Sequence, residues 1–188
     1  MISIAQNESA DELLTRDPLA LLIGMVLDQQ QPMERAFLGP YHIAKRLRVK
    51  KLSAKKIASI PEEEFVAIAS EFPAIHRFPA SMAKRIQKLC NIITDEYAGD
   101  AANVWVNVQT AEQLYLRLKK LPGFGEDKAK IFIALLGKQL NVRPTNWRKV
   151  SDPYGAVGSK MTVADVTSPK TLLQVRAFKQ EMKAKGLW

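Results

Sequence analysis

Leu121-Pro122-Gly123-Phe124-Gly125-Glu126-Asp127-Lys128-Ala129 is the stretch on which the fold turns. A segment with helical periodicity ends before it at Lys120, and another runs from Glu126 through Lys138. The glycines at 123 and 125 permit left-handed backbone angles and a close approach to a ligand. Such a turn points the first amides of the second helix outward, without partners inside the helix. Amides of that kind bind phosphate oxygens without reading base sequence. Lys128 and Lys130 add positive charge beside them. The alternative reading of the same stretch is an ordinary helical hairpin closed by a glycine turn.

Helix signals dominate on both sides of this hairpin. Asp17-Pro18 reads as an N-cap followed by proline at the first helical position, opening a buried helix over Leu19 to Leu27. Gln29-Gln30-Gln31-Pro32 ends it, and a further helix starts near Met33 with a predicted interruption at Gly39-Pro40. Ser53 opens a short helix, and Pro61-Glu62-Glu63-Glu64 starts another with acids in its first turn. Ser81 begins a longer one to about Tyr97, with Ile86, Leu89 and Ile93 at helical spacing. Thr110 opens the helix that leads to the hairpin, and a basic amphipathic helix starts near Ser168 with Leu172, Leu173, Val175 and Phe178 as its apolar stripe. Val104 to Val108 alternates like a strand but is short and isolated. The expected fold class is therefore all-α.

The chain of 188 residues is long enough for one sizeable core or for two lobes around a cleft. Its formal charge of +9 points to a polyanionic partner. The basic residues cluster at Lys45 to Lys51, Lys55-Lys56, Lys84-Arg85, Lys119-Lys120 and from Lys128 onward, whereas residues 1–34 are mostly acidic where charged. Runs of this kind are either solvated faces or a nucleic-acid surface. No apolar run reaches the roughly 20 residues that a membrane span needs. The N-terminus lacks the plan of a signal peptide, so a cytoplasmic location is expected, nucleoid-associated in a bacterium. Cys90 is the only cysteine, which excludes an internal disulfide and a cysteine-ligated zinc or iron–sulfur site. With His42 and His76 far apart in sequence, neither a metal nor any other cofactor is expected. Cys90 and the two histidines read as core or surface groups.

The hairpin resembles that of the HhH-GPD superfamily of base-excision DNA repair glycosylases, a two-lobed all-α fold. Two further stretches carry the resemblance, which covers roughly residues 17–150. Leu22 to Gln31 looks like the family's early helix and its glutamine-bearing loop. Ile75-His76-Arg77-Phe78-Pro79, followed by Ser81 to Cys90, looks like its wedge loop and next helix. The resemblance implies double-stranded DNA, with a damaged or extruded base, as the partner of a monomer. It places Gly123, Phe124, Gly125, Lys128 and Lys130 of the hairpin at the DNA, with Arg77, Phe78 and Gln30. Gln30 would fill space near the extruded base, or is simply exposed. Phe78 would insert into the base stack, or belongs to the core. The whole chain, 1–188, is expected to be one unit. Roughly 33–135 would form the lobe containing the hairpin (121–129), and 1–32 with 136–188 would form the other.

The sequence departs from the family where the chemistry lies. Members that cut the DNA strand place a lysine two residues after the second glycine, and Asp127 stands there. Lys128 is one residue on, rotated by about 100° around the helix, so no Schiff-base lyase activity is expected. The family's aspartate position falls at Pro144 or Thr145, neither an acid. Asp152 is the nearest downstream carboxylate and the candidate to take the role, or else a turn former before Pro153. Trp147 is suited to stacking on an extruded base, or to a place in the core. Two functions stay open: a monofunctional DNA N-glycosylase, and a catalytically degenerate relative that binds damaged or distorted DNA without excision. A basic helical protein for RNA or ribosomes is a third.

Overall fold

Asp17 ends one helix and begins the next. Its backbone N–H closes α1 (Glu8–Arg16), and its Oδ1 accepts from the N–H groups of Leu19 and Ala20 at the start of α2 (Pro18–Leu27). Oδ2 accepts from Leu52 N–H at 2.7 Å, tying this corner to the next segment. The computed structural model describes residues 1–187. Among them are ten α-helices, two short 3-10 turns and no strand, with one isolated bridge between Thr110 and Thr145. The alternating stretch that starts at Val104 closes a 3-10 turn, and Trp105 packs edge-on against Phe132 at 5.6 Å.

Every residue of α2 after Pro18 is buried, so this helix is the axis of the core. α3 (Met33–Arg46) packs along it. The interruption expected at Gly39-Pro40 is absent, and α3 continues through both residues. Tertiary packing accounts for this. A Cβ on Gly39 would stand 2.4 Å from Leu27 Cδ1, and one on Gly24 would stand 2.6 Å from the Phe37 ring. The two helices therefore approach through glycine, and the burial so gained outweighs the local cost of Pro40.

α4 (Ala54–Ser59) and α5 (Glu62–Ser70) both pack against the long α6 (Pro79–Glu96). α7 (Ala111–Lys119) leads through the hairpin into α8 (Glu126–Gln139), whose central residues are buried. The chain after α8 forms one short helix, α9 (Trp147–Val150), before α10 (Pro169–Ala184). Lys138 holds this segment. Its Nζ lies 2.6 Å from Asp165 Oδ1 and 2.6 Å from the Tyr154 carbonyl oxygen. α10 begins at Ser168 with a capping box. Its apolar stripe is narrower than expected: Leu172 and Val175 are buried, whereas Leu173 is 62% exposed. Arg176 on α10 pairs with Glu34 on α3. Among the described residues, no helix is long and apolar enough to cross a membrane.

Candidate nucleic-acid interface

The hairpin turn is built around one left-handed glycine and one aromatic anchor. Gly123 has φ +84°, a conformation that L side chains rarely adopt. Phe124 is buried and meets Phe132 edge-on at 5.7 Å. Its ring thus holds the turn from the core side, and any contribution of Phe124 to a ligand runs through its backbone. Gly125 is the N-cap of α8, with no side-chain cap, and a Cβ placed there would meet open space. The first amides of α8 therefore face outward with no side chain occupying them. Lys130 is half-buried one turn further along.

A cleft of about 650 Å³ opens beside this turn. Its walls come from five places: the end of α2 with the glutamine loop, the first turns of α8, Pro153-Tyr154, Met161, and the C-terminal part of α10 with Leu187 just beyond it. Met25, Ile131, Met161, Met182 and Leu187 supply the apolar lining. Asp28, Gln29, Gln30, Gln31, Asp127, Lys128, Tyr154 and Lys179 supply the polar groups. Asp28 caps the C-terminus of α2. Burial raises its pKa, and Lys179 and Lys128 oppose that shift with their positive charge. Burial lowers the pKa of Lys128, opposed by Asp28, while Arg85 adds to the lowering. The cleft thus holds a desolvated carboxylate flanked by two lysines. Tyr154 donates its hydroxyl proton to Asp127 Oδ1 at 3.1 Å, and its pKa is pushed up to about 12 by burial and by that carboxylate.

The glutamine loop and the wedge segment are locked together. Gln30 has φ +53° and is exposed at the cleft. Gln29 donates to Val26 O, and Gln31 donates to Leu27 O and to Ile75 O. His76 is buried between the two segments, with Nε2 2.8 Å from Gln29 O. Phe78 is 49% exposed at the start of α6, and the Arg77 guanidinium lies 5.0 Å from its ring centroid.

The structure gathers Gln30 and Lys128 at the cleft, beside the hairpin. Lys128 lines it together with Asp127, because one step of rotation at a helix N-terminus keeps both on the open side. Asp152 is exposed, and its neighbours Pro153 and Tyr154, rather than Asp152 itself, line the cleft. Pro144 is buried, and the Thr145 backbone pairs with Gln109 and Ala111. Trp147 lines a separate pocket of about 300 Å³. Its ring lies where a Cβ on Gly137 would stand, 2.4 Å away, and Arg148 covers it at 4.4 Å. Packing on α8 accounts for its position. Sequence reasoning gave no role to Asp28, Tyr154 or Lys179. For Asp28 a signal existed, since an acid ends an otherwise apolar helix.

A helical hairpin with outward amides, an exposed aromatic side chain at Phe78 and a cleft beside the hairpin make a surface suited to bent or opened duplex. A family model described as HhH-GPD superfamily base excision DNA repair protein matches residues 23–185, and the chain belongs to that superfamily. Its partner is accordingly DNA, and its function is of the glycosylase-like, base-excision-repair kind. No curated protein and no solved structure matches the chain.

Proposed function

We propose that the chain is a monofunctional DNA N-glycosylase that acts as a monomer on double-stranded DNA and hydrolyses the bond of a damaged base extruded into the cleft. The observation that carries this reading is Asp28, a desolvated carboxylate in the cleft beside the hairpin, with two lysines near enough to act on its charge. As the glycosidic C–N bond breaks, positive charge develops on the sugar. A fixed carboxylate in a dry site favours that charge more strongly than it would in water. Water then adds to the sugar carbon, its proton leaves with the base, and the strand stays intact. The ammonium groups of Lys128 and Lys179 oppose the burial of Asp28 and favour its anionic form. Arg77, Phe78 and Gln30 lie at the places suited to opening the duplex and filling the gap.

Base release from duplexes containing uracil, alkylated or oxidised bases tests this. Wild type is expected to release one of them, and Asp28→Asn to lose most of the rate while still binding. Asp152, exposed near the cleft, is the other candidate acid, and Asp152→Asn separates the two. Loss in Asp152→Asn with none in Asp28→Asn would reassign the role. A second reading has its own support. Neither Pro144 nor Thr145 offers a carboxylate at the family's usual position, which fits a protein that recognises distorted DNA without excision. Binding without release from any duplex would favour it.

A further inference from the structure

α6 presents a polar face that the cleft does not use. Ser81, Arg85, Lys88 and Asn91 recur at intervals of three and four residues, so they share one side of the helix. The opposite side, with Ile86, Leu89 and Ile93, is buried in the core. This polar face forms one wall of a groove of about 670 Å³, whose other walls include Ile60 and Pro122 of the hairpin. Two points along it are placed by the structure. Phe78, the exposed aromatic, is the N-cap of α6, three residues before Ser81. Midway along the face, the aliphatic part of Arg85 lies against the hairpin: a Cβ on Gly123 would stand 3.1 Å from Arg85 Cδ.

Charge in the groove is one-sided. Lys84, Arg85 and Lys88 line it, against a single acid, Glu62, which pairs with Lys84 at 2.9 Å. Arg85 and Lys88 take part in no ion pair among the described residues. Arg85 is also close enough to Lys128 to disfavour its protonation. Two unpaired cations over a groove that joins the wedge to the hairpin leave positive charge uncompensated along one line.

We propose that this groove carries a stretch of DNA phosphodiester backbone, with Arg85 and Lys88 each contacting a phosphate along α6, beside and just beyond the hairpin. The proposal rests on DNA binding alone and not on base excision. Contacts of this kind are independent of base sequence, and each neutralised phosphate contributes about 0.9 to the slope of log affinity against log salt concentration.

The test is fluorescence anisotropy with an undamaged duplex over a series of salt concentrations. Gln replaces each cation, because it keeps the stem that packs on Gly123 while removing the charge. Arg85→Gln and Lys88→Gln are each expected to lower the slope by about 0.9, and the double variant by about 1.8. Lys50→Ala serves as a control, since Lys50 lines a different pocket with Glu12 and Arg16. A slope unchanged in the double variant, or lowered as much by Lys50→Ala, overturns the proposal. Wild-type protein supplies a second measurement that needs no variant to fold. Acetylation of the wild-type lysines, read by mass spectrometry with and without the duplex, should show Lys88 protected by bound DNA and Lys50 not. Equal protection of both, or of neither, counts against the groove. Because no lesion is involved, failure to excise any base leaves this result untouched.

Discussion

The imidazole of His76 joins two segments that the chain separates by more than forty residues. Its Nδ1 lies 3.0 Å from the Phe78 nitrogen, whose N–H donates to it. The ring proton is therefore placed on Nε2, which donates to the Gln29 carbonyl oxygen at 2.8 Å. One side chain, 1% exposed, thus sets the distance between the glutamine loop and the wedge.

His76→Phe keeps the volume and removes both bonds, leaving a carbonyl and an amide without partners. The expected loss is about 1–3 kcal/mol of stability, read as a lower urea midpoint. Affinity for duplex DNA should fall further than the unfolded fraction explains, because Gln30 and Phe78 no longer share a fixed geometry. An affinity loss that matches the stability loss would confine His76 to the core.

The two hairpin glycines should separate folding from binding. Gly123 has φ +84°, so Gly123→Ala is expected to cost about 1–2 kcal/mol. Gly125 has φ −79° and open space at its Cβ, so Gly125→Val should cost only the roughly 1 kcal/mol of an aliphatic residue at an N-cap and stay folded. Its branched side chain would nonetheless stand among the outward amides. Thermal melts and anisotropy should therefore show a stable Gly125→Val that has lost DNA, and unchanged affinity would argue against the hairpin as the phosphate site.

The hairpin was legible in the sequence because turn chemistry is local: the glycines, the periodic helices and the cap at Thr110 all lie within a short window. The all-α class followed from the same periodicity. Gly39-Pro40 misled because its cost is local while the gain, contact of Gly39 with Leu27, is tertiary. The cleft was only partly legible. Asp28 and Lys128 are a hundred residues apart, and their meeting depends on how α2 and α8 pack. Trp147 between polar neighbours read equally well as a stacking platform or a core residue, and its packing on Gly137 is a tertiary contact outside the local pattern.

Asp28 should destabilise the fold that it serves. Its folded pKa is raised, so between about 3.8 and that raised value the folded state binds more protons than the unfolded one. Its contribution to stability is therefore fully present below about 3.8 and is lost as pH rises through the folded pKa. Asp28→Asn mimics the protonated form and removes this loss. The variant is expected to be the more stable protein at neutral pH, with the difference shrinking as pH falls toward 4. Greater stability with lost base release is the signature of a functional group held at a cost. Urea unfolding at several pH values measures it, and a variant less stable than wild type at neutral pH would mark Asp28 as a structural ion.

Lys128 lines the cleft together with Asp28. A Schiff base forms only from the neutral amine. Burial and Arg85 favour that form, while the Asp28 carboxylate favours the ammonium. Asp28 and Lys128 each oppose the other's desolvation, so Lys128 is expected to serve as the counter-ion of Asp28. Borohydride added during reaction with a damaged duplex should then trap no covalent protein–DNA species, and the strand should remain uncut. The Asp28→Asn variant sharpens the test, because removing the carboxylate lowers the Lys128 pKa further. If Lys128 is a nucleophile restrained by its partner, trapping should appear or increase in Asp28→Asn and vanish when Lys128→Ala is added. If it is only a counter-ion, neither protein is trapped, and Lys128→Ala slows base release by leaving Asp28 more readily protonated. A trapped wild-type species that depends on Lys128 would make the protein a lyase as well as a glycosylase.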